Sequence, residues 1–248
     1  MKIVVLVKRV PDTAASIRIA QTGREIAQDV EWVMSPYDEM ALEEAIRIKE
    51  AQGGEVLAVG LSPQGADSHL KLALEMGADR AIHVVENQTD RDMIGVASVL
   101  ASVIKDESPD LVLAGRTAVD FDQSFVAPAI AAALDMPFLS GAVKVELGGG
   151  SVTIRREGDG GTEVLTAALP CVVTAQKGLN EPRYPSLKAK MLAKKKQIAQ
   201  VNPPATVNIV ELVGLEYPPQ RKAGRILGEG VEAVPALVNV MRNELKLF

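Results

Sequence analysis

Pro109-Asp-Leu-Val-Leu-Ala-Gly-Arg-Thr-Ala-Val-Asp-Phe-Asp122 is the stretch that decides the fold. Leu111 to Gly115 is short, continuous and apolar, the pattern of a strand buried on both faces of a parallel sheet. A polar loop follows, and then an apolar helical stretch expected from about Gln123 to Leu134. The same unit of apolar strand, polar turn and helix recurs toward the N-terminus. Strands are expected at Lys2 to Val7, Glu55 to Leu61 and Ala81 to Val85. Helices are expected after Ser35-Pro36-Tyr37-Asp38, after Ser62-Pro63-Gln64-Gly65 (running to Met76), and from about Asp90 to Lys105. Ser35 suits an N-cap, Pro36 suits N1, and Asp38 at N3 resembles the acidic end of a capping box. Strands alternating with helices predict a parallel sheet with right-handed crossovers.

The rhythm changes beyond Pro137. Ala142 to Leu147 and Ser151 to Arg156 alternate in polarity on either side of Gly148-Gly149-Gly150, a hairpin signal. Glu163 to Leu169 and the β-branched run Cys171 to Ala175 read as further strands, extending the sheet in antiparallel fashion. Ser16 to Ile19 and Val30 to Val33 read as a small hairpin excursion. The fold class is therefore α/β: a mostly parallel open sheet with helices on both faces, an antiparallel strand extension and an extended C-terminal arm.

Composition narrows the function. A chain of 248 residues, 47% hydrophobic and 24% charged, is ordinary for a globular protein. A net charge of −5 and 3% aromatics disfavour nonspecific nucleic-acid binding and base stacking. One cysteine, Cys171, excludes a disulfide framework or a cysteine zinc site within the chain. No apolar run approaches the roughly 20 residues of a membrane span, and Met1 to Val7 is too short for a signal peptide. A cytoplasmic location with no membrane insertion is expected.

In a parallel sheet, the helix starts near Ser35, Ser62 and Asp122 converge beyond the carboxyl ends of strands. Open α/β sheets bind ligands there. Helix N-termini favour a phosphate, although capping alone also explains such starts. Neither the G-x-G-x-x-G fingerprint nor a P-loop is present. The pyrophosphate loop of ATP pyrophosphatases, of the S-G-G-x-D-S kind, is also missing after the first strand, where Lys8-Arg9-Val10-Pro11-Asp12 stands. His69 and His83 are read as structural, and no metal site is expected. Asp120 and Asp122 are read as loop-ordering and capping groups rather than a catalytic pair.

Residues 178 to 197 are the most distinctive stretch. Pro182 and Pro185 stiffen an extended segment that turns helical near Leu187. Leu187, Met191 and Leu192 form a small apolar stripe among Lys188, Lys190, Lys194, Lys195 and Lys196. These residues fit either a solvated basic helix or a tip that docks on an acidic partner.

Leu179-Asn-Glu-Pro-Arg-Tyr184, with Leu187 and the lysine cluster behind it, resembles the recognition loop of electron transfer flavoprotein β subunits, and the resemblance covers nearly the whole chain. It implies an electron carrier that pairs with an α subunit and shares FAD with it. Such a chain is an electron-carrier subunit rather than a stand-alone enzyme. Leu187 is the residue that would dock on partner dehydrogenases, with Arg183, Tyr184 and Met191 beside it. It also implies an adenine nucleotide, AMP, held by the backbone after the first strand (Leu6, Val7), by Ser35, Pro36, Tyr37 and Asp38, and by Leu61. The remaining part of that site is the loop of Gly115, Arg116, Thr117, Ala118, Val119, Asp120, Phe121 and Asp122, continued by Gln123, Ser124, Phe125 and Val126. AMP-holding members commonly continue this loop with Asn-Gln-Thr and carry asparagine where Ser35 stands. Members with a second FAD in place of AMP, which oxidise NADH and split electron pairs, tend to lack that threonine. A second FAD is thus the alternative to AMP, and a nucleotide-binding module without redox function is the alternative of another class. Two regions are expected: a nucleotide-binding domain over 1–200, with the recognition loop at 178–197, and a C-terminal arm and helix over 201–248 that pack on the partner subunit. The arm's Pro-Pro pairs and its Pro218-Pro-Gln-Arg221 wording fit that role.

Overall fold

The computed structural model describes residues 1–87, 91–206, 208–221 and 223–248. The chain divides into two compact units, Met1–Leu215 and Glu216–Phe248. The first unit opens with β1 (Lys2–Leu6), the pair β2 (Arg9–Pro11) and β3 (Trp32–Met34), and helix α1 (Pro36–Gln52). Then come β4 (Glu55–Ser62), α2 (Ser68–Met76), β5 (Arg80–Val85), α3 (Met93–Glu107), β6 (Leu111–Gly115) and α4 (Val126–Ala133). Four strands follow: β7 (Phe138–Gly148), β8 (Ser151–Gly158), β9 (Gly161–Ala168) and β10 (Cys171–Ala175). Helix α5 (Leu187–Ala193) and β11 (Ile198–Val201) complete the unit.

Among the described residues, the main sheet has nine strands in the order β11-β5-β4-β1-β6-β10-β7-β8-β9. Pairing is parallel from β11 through β7. Only β8 and β9 pair antiparallel. The Cys171 strand therefore does not extend the sheet at its edge, as its place in the sequence implied. It inserts between β6 and β7 and is buried along its whole length. That burial is what its five consecutive small or β-branched residues support.

The strand pleat sorts the core into two layers. Ile3, Val5 and Val7 point to one face, with Leu42 and Ile46 of α1 and Leu70 and Leu74 of α2. Val4 and Leu6 point to the other, with Val99 and Ile104 of α3 and Ile130 of α4. Each fully buried Val, Leu or Ile contributes about 1.5–3 kcal/mol relative to exposure. The two layers therefore fix both faces of the sheet.

Several local expectations are corrected. The excursion after β1 pairs Arg9 with Met34 and Pro11 with Trp32, while Ile19 meets Ile26 in a separate single bridge. Helix α2 starts at Ser68 rather than directly after Ser62-Pro63. Ser62 Oγ donates to Ala66 O at 2.8 Å, which closes a turn ahead of the helix. Helix α4 starts at Val126 rather than Gln123, because Asp122 has a φ of 50° and Ala118 bridges to Gln123, holding those residues in the loop. The expected start of the third helix at Asp90 lies outside the described residues. That helix runs from Met93, with Asp92 as an N-cap accepting from Gly95 N–H. Residues 198–201, for which the sequence suggested no strand, form an edge strand beside β5.

The same unit also holds the segment beyond β11. Asp92 Oδ2 accepts from the N–H groups of Ile209 (2.5 Å) and Val210 (3.0 Å), and Leu215 N–H donates to Gly23 O (2.8 Å). The second unit contains a 3-10 turn (Val231–Ala233), helix α6 (Val234–Asn239) and a π turn (Val240–Glu244) where one terminal helix was expected.

Candidate functional site

The connection from β1 leads through α1 to β4 on one side of β1, while β6 lies on the other side. The sheet thus reverses its winding between β1 and β6, and a crevice opens at their carboxyl ends. Asp38, in the first turn of α1, spans that crevice. Its Oδ2 accepts from Lys8 N–H at 2.8 Å and its Oδ1 from Gly115 N–H at 2.8 Å. One carboxylate thereby joins the ends of two strands and the start of a helix. Burial outweighs these two donors and the nearby Lys8, and pushes the Asp38 carboxyl up to about 7. Both oxygens accept from backbone N–H groups, so Asp38 shapes the crevice rather than offering a free group to a ligand.

Gly115 is required by this arrangement. A Cβ there would lie 2.5 Å from Asp38 Oδ1 and 2.7 Å from Tyr37 Cβ. Ser35 occupies the N-cap position of α1, but its side chain makes no cap bond. Its backbone N–H donates instead to Lys8 O at 2.9 Å. The Ser35 Oγ is buried, with no partner among the described residues.

The loop after β6 folds over the crevice. Arg116 N–H donates to Ala175 O at 2.9 Å, which ties the loop to β10. Lys8 Nζ bridges back to Asp120 at 2.6 Å and lies 5.4 Å from the centre of the Phe121 ring. Thr117 Oγ1 donates to Asp122 Oδ1 at 3.2 Å. The N-terminus of α4 has no side-chain cap and no acidic residue in its first turn. Such a helix start carries a partial positive charge and N–H groups that no side chain caps, and this loop runs directly into it.

A cleft of about 280 Å³ results, lined by Tyr37, Arg116, Thr117, Asp122, Ser124 and Gln176. Five of these are among the predicted site residues. Gln176, immediately after β10, was missed. The signal that could have found it is its place just past an apolar strand, and the antiparallel reading of that strand hid it. Its Oε1 is buried with no partner among the described residues, so the cleft wall holds a free hydrogen-bonding group. Leu6 and Val7 are buried at the end of β1, and Leu61 stands near the end of β4. Pro36 begins α1. Ala118, Val119, Gln123, Phe125 and Val126 complete the loop and the start of α4, with Phe121 and Phe125 exposed. A larger open cleft of about 540 Å³ lies beyond β4, lined in part by Arg9, Trp32, Gln64 and Asn87.

The histidines take no part in the crevice. Both oxygens of Ser62 lie within hydrogen-bonding distance of His83 Nε2, Oγ at 2.8 Å and the carbonyl at 3.0 Å. Because the carbonyl can only accept, Nε2 carries the proton, and the pair lacks the general base of a serine nucleophile. His69 is buried with neither ring nitrogen partnered among the described residues, and burial holds it down at about 4. Among the described residues no cluster of His, Cys, Asp or Glu could hold a metal ion. Nor is any helix among the described residues long and apolar enough to cross a membrane.

The second predicted site lies on the arm before and within α5. Tyr184 is 98% exposed, Leu187 82% and Met191 70%. Ser186 caps the helix by accepting from Ala189 N–H at 3.2 Å. Arg183 differs from its neighbours, since its guanidinium turns inward onto α1.

Comparison with known proteins adds an independent finding. The model of the electron transfer flavoprotein domain matches residues 24–206. The electron transfer flavoprotein subunit beta of Bacillus subtilis (strain 168) is 37% identical over 258 residues, covering 100% of both chains. The Homo sapiens subunit beta is 40% identical over 233 residues, covering 90% of this chain and 91% of that one. The mitochondrial subunit beta of Oryza sativa subsp. indica is 39% identical over 258 residues, again covering 100% of both.

Proposed function

This chain belongs to the electron transfer flavoprotein β-subunit family, and on that premise we propose that it pairs with an α subunit, shares FAD with it, and holds AMP in the switch-point cleft. When bound, the flavin supplies the redox chemistry, accepting electrons from dehydrogenases and passing them to a downstream acceptor. This chain's part is to shape the flavin's surroundings in the pair and to present a docking tip.

The observation that carries the nucleotide assignment is the cleft between β1 and β6. Arg116 and the uncapped start of α4 suit a phosphate. Asp122, Thr117 and the free Oε1 of Gln176 suit ribose hydroxyls or an exocyclic amine. The set pairs no nucleophile with a general base, so in this reading the nucleotide's role is structural.

A second reading replaces AMP with a second FAD in the same cleft, in a protein that oxidises NADH. It is favoured by Ser124, Phe125 and Val126 where AMP-holding members carry Asn-Gln-Thr. The proposed function is tested by co-expressing the chain with its α partner and recording the purified complex between roughly 350 and 500 nm, the range of flavin bands. The flavin should bleach when a reduced dehydrogenase is added. A colourless complex, or a flavin that no dehydrogenase reduces, would contradict the electron-carrier role.

A further inference from the structure

The exposed tip around Leu187 has little packing of its own, so its shape must come from the ends of the arm. At the far end, Ala193 is buried, Lys196 Nζ donates to Ala78 O, and the chain continues into β11. At the near end, the arm lies along α1. Asn180 Nδ2 donates to Met40 O and to Glu44 Oε2, both at 3.0 Å. Arg47 Nη2 reaches Glu181 O at 3.3 Å.

The hub of this contact is Glu43, whose side chain is 3% exposed. It accepts from Arg183 N–H (3.2 Å), Nε (2.8 Å) and Nη2 (3.1 Å), and from Arg47 Nε (2.7 Å). The other edge of Arg183 holds Glu50, with Nη1 to Oε1 at 2.6 Å and Nη2 to Oε2 at 3.0 Å. Burial works against a charge on Glu43. The bonds from Arg183 and Arg47 overcome it and hold the carboxyl below its ordinary value. Spanning two carboxylates while a backbone N–H also reaches one of them requires a planar fork, which a lysine ammonium cannot supply.

We propose that Arg183 is a positioning residue: through Glu43 and Glu50 it fixes the arm against α1, so that the Leu187 tip meets a dehydrogenase already in its docking shape. The inference rests on the reading of the arm as the docking element. A preformed tip loses less conformational entropy on binding, which strengthens docking without adding a contact.

The test uses the heterodimer carrying Arg183→Ala, Arg183→Lys or Leu187→Ala. Each is reduced by a dehydrogenase that reduces the wild type and, separately, by dithionite, which needs no docking. Arg183→Ala should raise KM for the dehydrogenase roughly tenfold while kcat, flavin content and dithionite reduction stay unchanged. Hydrogen exchange should speed up across residues 184–192. Arg183→Lys should behave like the alanine variant, and full rescue by lysine would contradict the two-carboxylate bridge. A normal KM for Arg183→Ala, alongside a raised KM for Leu187→Ala, would overturn the positioning role and leave the docking tip standing. A normal KM for both would remove the docking reading itself. Exchange across the arm would then decide whether Arg183 fixes it, and unchanged exchange would refute that as well.

Discussion

Asp38 and His69 place opposite demands on pH. Asp38 has its carboxyl raised from 3.8 to about 7. Its contribution to stability is fully present below 3.8 and is lost as pH rises through 7. His69 is lowered from 6.5 to about 4, so its contribution is present above 6.5 and is lost as pH falls toward 4. Between about pH 4 and 6.5 the two slopes nearly cancel, each amounting to about 1.4 kcal/mol per pH unit. Removing either group should expose the other. In thermal melts of the isolated chain, His69→Gln should gain stability relative to wild type as pH falls from 6.5 to 4. Asp38→Asn should gain relative to wild type as pH rises from 4 to 7, on top of a constant loss from the amide facing a backbone donor. Parallel wild-type and variant curves would show that neither group titrates as described. Gly115→Ala tests the same crevice sterically. The added Cβ meets Asp38 Oδ1 and Tyr37 Cβ, and the resulting overpacking should cost about 1–3 kcal/mol. The complex should also retain less nucleotide. An unaltered melting temperature and nucleotide content would mean that the Asp38 bridge is not needed.

At the scale of elements, the apolar strands were legible because burial on both faces leaves no other use for runs such as Val4-Val5-Leu6 or Val172-Val173. Strand β11 was not legible. Ile198-Ala-Gln-Val201 is a short run broken by Gln200 that lies among prolines and lysines, and its pairing with β5 comes from tertiary contact. The late starts of α2 and α4 were hidden for a related reason. Ser62, Ala66, Ala118 and Gln123 make turn and bridge bonds that composition does not announce. In the candidate site, the resemblance named five of the six residues that line the cleft. Gln176 was not among them, because its role depends on β10 inserting beside β6. Helix α5 carries the prediction that belongs to this scale. Full burial of Leu187 in a partner pocket would contribute about 1.5–3 kcal/mol. Leu187→Ala should therefore weaken docking by roughly 10- to 100-fold without altering flavin content or pairing. The surrounding lysines should act chiefly on association rate and its salt dependence. Dissociation of the two subunits by Leu187→Ala would instead place that residue in the subunit interface.

For the whole molecule, the two compact units differ in how much apolar surface they leave uncovered. The unit from Glu216 to Phe248 exposes Ile226 at 89% and Val231 at 81%, with Leu245, Leu247 and Phe248 also exposed. A segment with so little burial of its own gains most from a partner surface. Its amide exchange should slow markedly when the α subunit is present, whereas residues 198–201, already paired in the sheet, should change little. Equal exchange of residues 223–248 in the isolated and paired chain would contradict this division of roles. In the proposed function the chain completes a flavoprotein with its α subunit while its own switch-point cleft holds AMP. The most direct measurement is to denature the co-purified complex and quantify the released nucleotides against protein. Equimolar FAD and AMP is the result predicted here, and a doubled FAD content without AMP, or no adenine nucleotide beyond one FAD, would contradict it.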